Sequence, residues 1–541
     1  MSSPRSTAAT DPAARARAAL CRPGAAWNAI AATLVVVLLA LVLATFRDYG
    51  MTVDEPVQNR YGNRLVSWYA TRGEDARALW QNNLYFYGGF FELVAQAGRA
   101  ALPFGVYESR HLVNGLFGIL GVVAVWGLAS RLAGPLAGLL AAAFLALTPR
   151  FYGDWFANPK DLPFASLFAL AAWAILAAST RVPRLGWREV AATGLAIGMA
   201  CGVRVAGCVL FLYAAALWLA VACCTAWPRR PTPGDLGRVL GAWLGALAVG
   251  WTTMVVFWPW ALMRPLRAPF LAFQKLSHFW EDVTIRFDGR LLLSRDLPPD
   301  YVPRLLALTL PEGYLVAAVL ALIGCAILLR RRAVSRAGVV RGAWLLALPV
   351  GPVAWMVLRH TPLYNGVRHV LFVLPPLAAL AGAGAAAFFA ARPPRLARVL
   401  AAAALLASAL LTARDMIELH PYQYVYFNRV FAGGLASATH RYETDYWCAS
   451  FKEGLDWLVR EYRPQSPGPI TVAGSCSDEQ LSYYLASPQA ARFEPGRWSR
   501  PNLLLAGSED ERPLPRQRAL HRVERQGASL LDILELQPPA R

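Results

Sequence analysis

Lysine is nearly absent. The 541 residues hold 53 basic side chains, yet only Lys160, Lys275 and Lys452 are lysines, against 50 arginines. Charge of either sign is sparse at 16%, apolar residues make up 56%, and the mean hydropathy is +0.37. A water-soluble domain, in which about a quarter of residues are charged, is excluded by that balance. No phosphate-cradling glycine loop is present, which disfavours a nucleotide-driven machine. No solenoid-period or inverted repeat is found, and no base-stacking module. The net charge of +19 does not call for nucleic acid. The arginines sit in short segments between apolar runs, where positive-inside bias and anionic lipid headgroups account for them.

What is present is a series of apolar runs. The first, 27–46, carries no charge over about 20 residues, enough to cross a bilayer as a helix. Further spans are predicted at 111–130, 132–148, 162–179, 239–263, 313–329, 342–358, from 370 to 391, and 399–413. The stretch 189–228 is too long for one helix and reads as two, turning near Gly202-Val203-Arg204. The fold class is therefore a polytopic α-helical membrane protein with about eleven spans. Arg5, Arg15, Arg17 and Arg22 precede the first span, so residues 1–26 read as a disordered cytoplasmic tail. An odd count then puts residues 414–541 outside, where strand-like pieces (469–473, 502–505) alternate with helix-like ones (451–459, 477–485), as in a small α/β domain. Cys21, Cys201, Cys208, Cys223, Cys224 and Cys325 lie in or beside apolar segments without metal-ligand spacing. Cys448 and Cys476 are free to pair if the tail is extracytoplasmic.

The inner loops are too short to fold a catalytic domain, so chemistry belongs to the outer segments 47–110, 149–161, 264–311 and 359–369. Asp54 and Glu55 stand just past the first span. Two adjacent carboxylates at a membrane exit are either solvated loop acids or a base held at the lipid–water boundary. The second segment holds Asp154, Asn158, Lys160 and Asp161, and the fourth holds Tyr364, Arg368 and His369. Activated groups outside the cytoplasm arrive on lipid carriers, which makes a lipid-linked substrate the expectation.

Asp54-Glu55, the Asn158-Pro159-Lys160-Asp161 loop and the eleven-span frame together resemble the C-type glycosyltransferase superfamily, especially the protein O-mannosyltransferases and the lipid A aminoarabinose transferases. The resemblance covers roughly residues 27–413. It implies transfer of a sugar, with inversion, from a polyprenyl-phosphate carrier to an acceptor hydroxyl on a lipid, glycan or protein. It casts Asp54, with Glu55 beside it, as the base that takes the hydroxyl proton. Asp154 would orient the acceptor or share a divalent cation with Asp54, the reading without a metal being preferred. Lys160, Arg204 and Arg368 are candidates to face phosphate, each against a plainer role: a loop ion pair with Asp161 or Asp154, snorkelling, or anchoring at a membrane end. Asn158, Asp161, Tyr364 and His369 complete the substrate-binding set. His278 and the Tyr422/Tyr424/Tyr426 alternation invite sugar stacking, although a period-two aromatic row reads first as sheet packing. The runner-up is a transporter or flippase of lipid-linked glycans, which would place charges near mid-membrane and show paired broken helices. A non-catalytic receptor is a third class. The implied location is a bacterial inner membrane.

Overall fold

A computed structural model describes residues 12–226, 230–277, 282–463, 468–497, 501–509 and 517–536. Every predicted span falls on a helix, but they are not equal. Among the described residues nine helices are long and apolar enough to cross a membrane, or ten if one bent pair counts as a span. That pair is Pro135–Ala146 and Pro149–Ala157, which meet at 62°. Pro149 lacks an N–H and pushes Thr148 into an extended conformation (φ −96°, ψ 100°), so the 132–148 run breaks there. The first half of 189–228 is helix Trp187–Cys201, whose 15 residues reach roughly 22 Å, short of the ~30 Å apolar layer. The opening helix runs Pro12–Thr45, so the Ala-rich residues from 12 to 26 are helical rather than irregular.

Burial sorts the spans into a core and a rim. Asp161–Ala178 and Arg368–Ala390 are 78% and 83% buried over their apolar windows, whereas Arg395–Glu418 and Gly24–Thr45 are 11% and 17% buried and offer leucine and valine to lipid. Small residues let the core backbones touch. A Cβ on Gly382 would lie 2.4 Å from the Ala141 nitrogen and 2.6 Å from the Ala137 oxygen. The two innermost spans each begin with a charged residue, Asp161 and Arg368, at the same end of the bundle.

That end carries the polar segments. Segment 47–110 forms helices Glu55–Ala70 and Phe90–Ala101 joined by short 3-10 turns. Segment 264–311 contributes the hairpin Thr284–Phe287/Arg290–Leu293, closed by Asp288-Gly289 with φ of 52° and 76°, the geometry of a two-residue primed turn. The tail builds a five-stranded sheet in the order Phe493–Pro495, Ile470–Gly474, Leu503–Gly507, Ala528–Leu536, Gln517–Arg525. The first three strands are parallel and the last two antiparallel additions, with helices Phe451–Glu461 and Asp478–Leu485 packed alongside. Cys448 and Cys476 form a disulfide.

The tail is bound into the polar face. Tyr484 accepts from the Met51 amide at 2.7 Å, Trp447 donates to Asp154, Glu443 accepts from the Gly366 amide at 3.1 Å, and Phe287 bridges to Tyr442. The tyrosine row is not a strand. Residues Gln423–Val425 make a 3-10 turn, and Tyr422, Tyr424 and Tyr426 are buried with their hydroxyls on Glu453, Asp445 and Glu312. Period-two spacing here reflects a tight turn wedged between domains rather than a sheet or a sugar platform.

Candidate active site

Asp54 is the N-cap of helix Glu55–Ala70, but its carboxylate makes no capping bond. It is instead held by Arg368, whose Nη2 donates to Asp54 Oδ2 at 2.9 Å, and the Asp54 side chain remains 32% exposed. Successive helical residues point about 100° apart, so Glu55 turns inward. Its carboxylate is 1% exposed, accepts from the Thr52 amide at 2.9 Å and faces His111 Nε2 at 3.1 Å. Of the two adjacent acids, Asp54 stays partly exposed and Glu55 is buried against His111.

Arg368 continues the chain of charges. Its Nε donates to Asp161 Oδ2 at 3.3 Å, and Asp161 also pairs with Arg204. Asn158 holds this acid in place through an Asx-type turn. Its Oδ1 accepts from the Asp161 amide at 2.9 Å and from the Lys160 amide at 3.3 Å, while its Nδ2 donates to Asp161 Oδ2 at 3.1 Å. Arg204 stands at the turn between Trp187–Cys201 and the following span, and the first polar segment packs directly upon that turn. The Phe90 amide donates to the Gly202 carbonyl at 3.0 Å, and a Cβ on Gly88 would lie only 2.0 Å from the same oxygen. Glycine at 88 is what lets the two backbones approach.

Lys160 stands apart from the ion pairs. Its Nζ lies 4.4 Å from the centre of the Tyr87 ring, and the Arg204 guanidinium lies 5.7 Å from the same ring. With the Gln58 amide oriented to satisfy both neighbours, Gln58 accepts from Lys160 Nζ at 2.9 Å and donates to Glu92 Oε1 at 3.3 Å. Burial pulls the Lys160 ammonium down to about 8; Asp54 opposes that, while Arg204 and Arg368 add to it. Tyr364 packs edge-on to His369 with ring centres 4.6 Å apart, and burial pushes its phenol up to about 12. Lys160, Arg204 and Arg368 are three cations against Asp54 and Asp161, so the cluster carries one positive charge in excess and favours an anion.

Asp154 is placed differently from Asp54. It is 2% exposed and accepts from Trp447 Nε1 at 3.3 Å, behind the Arg368 pairs. Asp154 and Glu55 are both buried, whereas the Asp54 side chain is partly exposed. Among the described residues no group of three or more His, Cys, Asp or Glu side chains is disposed to hold a metal ion. His278 lies outside the described residues.

Several participants have no mark in the sequence. Tyr87 sits in the aromatic 80–89 stretch but nothing singles it out from Tyr85. Trp447 comes from the tail and stacks on Arg368, its ring centre 4.4 Å from the guanidinium carbon. Behind Lys160 a buried pair, Arg110 with Glu92 at 2.9 Å, backs Gln58. A cavity of about 610 Å³ lies elsewhere, between Trp187–Cys201 and Pro233–Val256, with Arg184, Trp187 and Arg238 in its lining. It contains none of the cluster.

Residues 104–263 match the profile of the dolichyl-phosphate-mannose-protein mannosyltransferase family. No curated protein sequence matches the chain. Among solved structures, ArnT from Cupriavidus metallidurans in the apo state is similar at 16% identity and a TM-score of 0.48, over 94% of this chain and 98% of that one. The Archaeoglobus fulgidus oligosaccharyltransferase in the apo form is similar at 14% identity and 0.44, over 87% and 65%. The arabinofuranosyltransferase AftD from Mycobacteria is similar at 16% identity and 0.44, over 93% and 41%. The chain is an integral membrane protein, and its likeness to the C-type glycosyltransferases holds across the segment that supplies Asp154, Asn158, Lys160, Asp161 and Arg204.

Proposed function

We propose that this protein is an inverting glycosyltransferase that moves a sugar, a hexose or a pentose, from a polyprenyl-phosphate carrier to an acceptor hydroxyl. The observation that carries the reading is the partly exposed Asp54 carboxylate held by Arg368 beside a cation cluster with excess positive charge. A hydroxyl is a weak nucleophile, so its proton must leave as its oxygen attacks the anomeric carbon. Asp54 takes that proton. The bond from anomeric carbon to phosphate oxygen breaks in the same displacement, which inverts the centre, and polyprenyl phosphate departs with the electron pair. Arg204 and Lys160, both against the Tyr87 ring, meet the charge that accumulates on the leaving phosphate.

The other residues are supporting. Asp161, fixed by Asn158, keeps Arg204 and Arg368 at a defined separation, and Arg368 orients Asp54. Tyr364 and His369 close the side next to Arg368. Glu55 and Asp154 act from behind as buried structural acids. The charged groups gather where the spans end, as a reaction at the interface requires, and not at mid-span as a transport path does. The arginine-rich segments at the opposite ends of the spans favour a cytoplasmic N-terminus, the site and tail outside, and a bacterial inner membrane. Mass spectrometry of envelope lipids, glycans and proteins from cells with and without the chain tests the reading. One hexose- or pentose-sized mass is expected to vanish without it; an unchanged envelope in cells that make the protein would end the proposal.

A further inference from the structure

Trp447 belongs to the tail, some 80 residues beyond Arg368 in sequence, and is fully buried. Three of its contacts, each of a different kind, are onto the proposed site. Its ring lies against the Arg368 guanidinium at 4.4 Å. Its indole N–H donates to Asp154 at 3.3 Å, which sets the plane of the ring. Its backbone carbonyl accepts from the Val53 amide at 3.3 Å, one residue before Asp54. The same side chain therefore touches the cation that holds the base, and its backbone the strand of chain that presents the base.

The turn around Trp447 is determined from several sides. Asp445 accepts from the Ala449 and Ser450 amides at 3.2 and 3.3 Å, and Cys448 is tied to Cys476. Two residues past the turn of Cys476 begins helix Asp478–Leu485, whose Gln480 donates to the Met51 carbonyl at 2.6 Å and to the Cys448 carbonyl at 3.3 Å. The tail thus grips both Trp447 and the segment from Met51 to Asp54. We propose that Trp447 is a positioning residue of the transferase, through which the C-terminal domain sets the placement of Arg368 and Asp54; this rests on the function proposed above. The inference differs from a general packing role in one respect. Lys160 and Arg204, assigned to the phosphate, are held by Gln58, Tyr87 and Asp161. Loss of Trp447 should therefore slow turnover and leave carrier binding in place.

The test uses the full chain in nanodiscs to measure undecaprenyl phosphate binding. Turnover is measured in membranes of a strain lacking the chain, which retain the native acceptor, with undecaprenyl-phosphate mannose, glucose and arabinose as donors. The stoichiometry of bound undecaprenyl phosphate counts folded sites, so turnover is expressed per site. Trp447→Phe keeps a ring under Arg368 but loses the N–H, and should lower kcat about three- to tenfold. Trp447→Ala loses the ring as well and should lower it at least about thirtyfold, with KM for the donor and Kd for undecaprenyl phosphate within about twofold of wild type. Unchanged kcat per site in Trp447→Phe and Trp447→Ala, or a Kd that rises in step with the loss, would overturn the proposal. Should Trp447→Ala not fold, Trp447→Phe decides by the same criteria. Wild-type protein that binds undecaprenyl phosphate yet turns over none of the donors would instead overturn the proposed function, and this inference with it.

Discussion

Lys160 offers the sharpest pH prediction. Its fall from 10.5 to about 8 means that burial and its arginine neighbours penalise the charged form by about 3 kcal/mol. A bound phosphate restores a counter-charge, so the lysine in the complex holds its proton to higher pH. Between about 8 and that higher value the free protein must take up a proton to bind, and affinity falls by up to about tenfold per pH unit. The total loss is bounded by one charge-assisted contact of about 1.5–3 kcal/mol, or roughly 10- to 150-fold. The phosphate itself is already fully ionised over this range, its second pKa being about 6. Undecaprenyl phosphate affinity should therefore be level below pH 7.5 or so and weaken about 10- to 100-fold by pH 10. Calorimetry in buffers of different ionisation enthalpy should register proton uptake near pH 8. Lys160→Arg keeps its charge at every pH and should bind with a flat profile; Lys160→Ala should bind weakly, also flat. Stability moves the other way: the unfolded chain binds more protons between about 8 and 10.5, so the wild type gains stability as pH rises through that window. The same fall in affinity in Lys160→Arg as in wild type would refute the assignment.

Two further substitutions follow from the pairings. Arg204→Ala removes a leaving-group contact and should lower kcat about 10²- to 10³-fold, read as product formed per bound site. Asp161→Asn leaves Arg204 and Arg368 facing each other without their shared carboxylate, and should cost about 3–5 kcal/mol in stability, measured by denaturant unfolding, with activity lost as well.

The spans were legible because an apolar run of about 20 residues has few other fates. Their lengths were less so: the break at Thr148-Pro149 and the shortness of Trp187–Cys201 depend on local geometry that hydropathy does not register. The charged members of the cluster could be picked out for a related reason. Asp54, Lys160, Arg204 and Arg368 stand beside apolar segments where charge is expensive, so each needed an explanation. Their pairing did not follow from sequence. A lysine two residues from Asn158 and one from Asp161 reads as a loop ion pair, yet the arginines take Asp161 and Lys160 turns to Tyr87. Likewise Asp54 and Glu55 are equivalent in sequence and separate only when the helix that starts between them sends one side chain to Arg368 and the other against His111. Trp447 was invisible because nothing in a soluble-looking tail marks a tryptophan that will end up under an arginine of a membrane span.

In this mechanism Asp54 acts as a base and not as an anchor. Asp54→Asn preserves the shape of the side chain and its contact to Arg368 through the remaining oxygen. Transfer by the purified chain should drop about 10²- to 10⁴-fold while undecaprenyl phosphate is still bound. Transfer by Asp54→Asn within a few-fold of wild type would show that Asp54 is not the base.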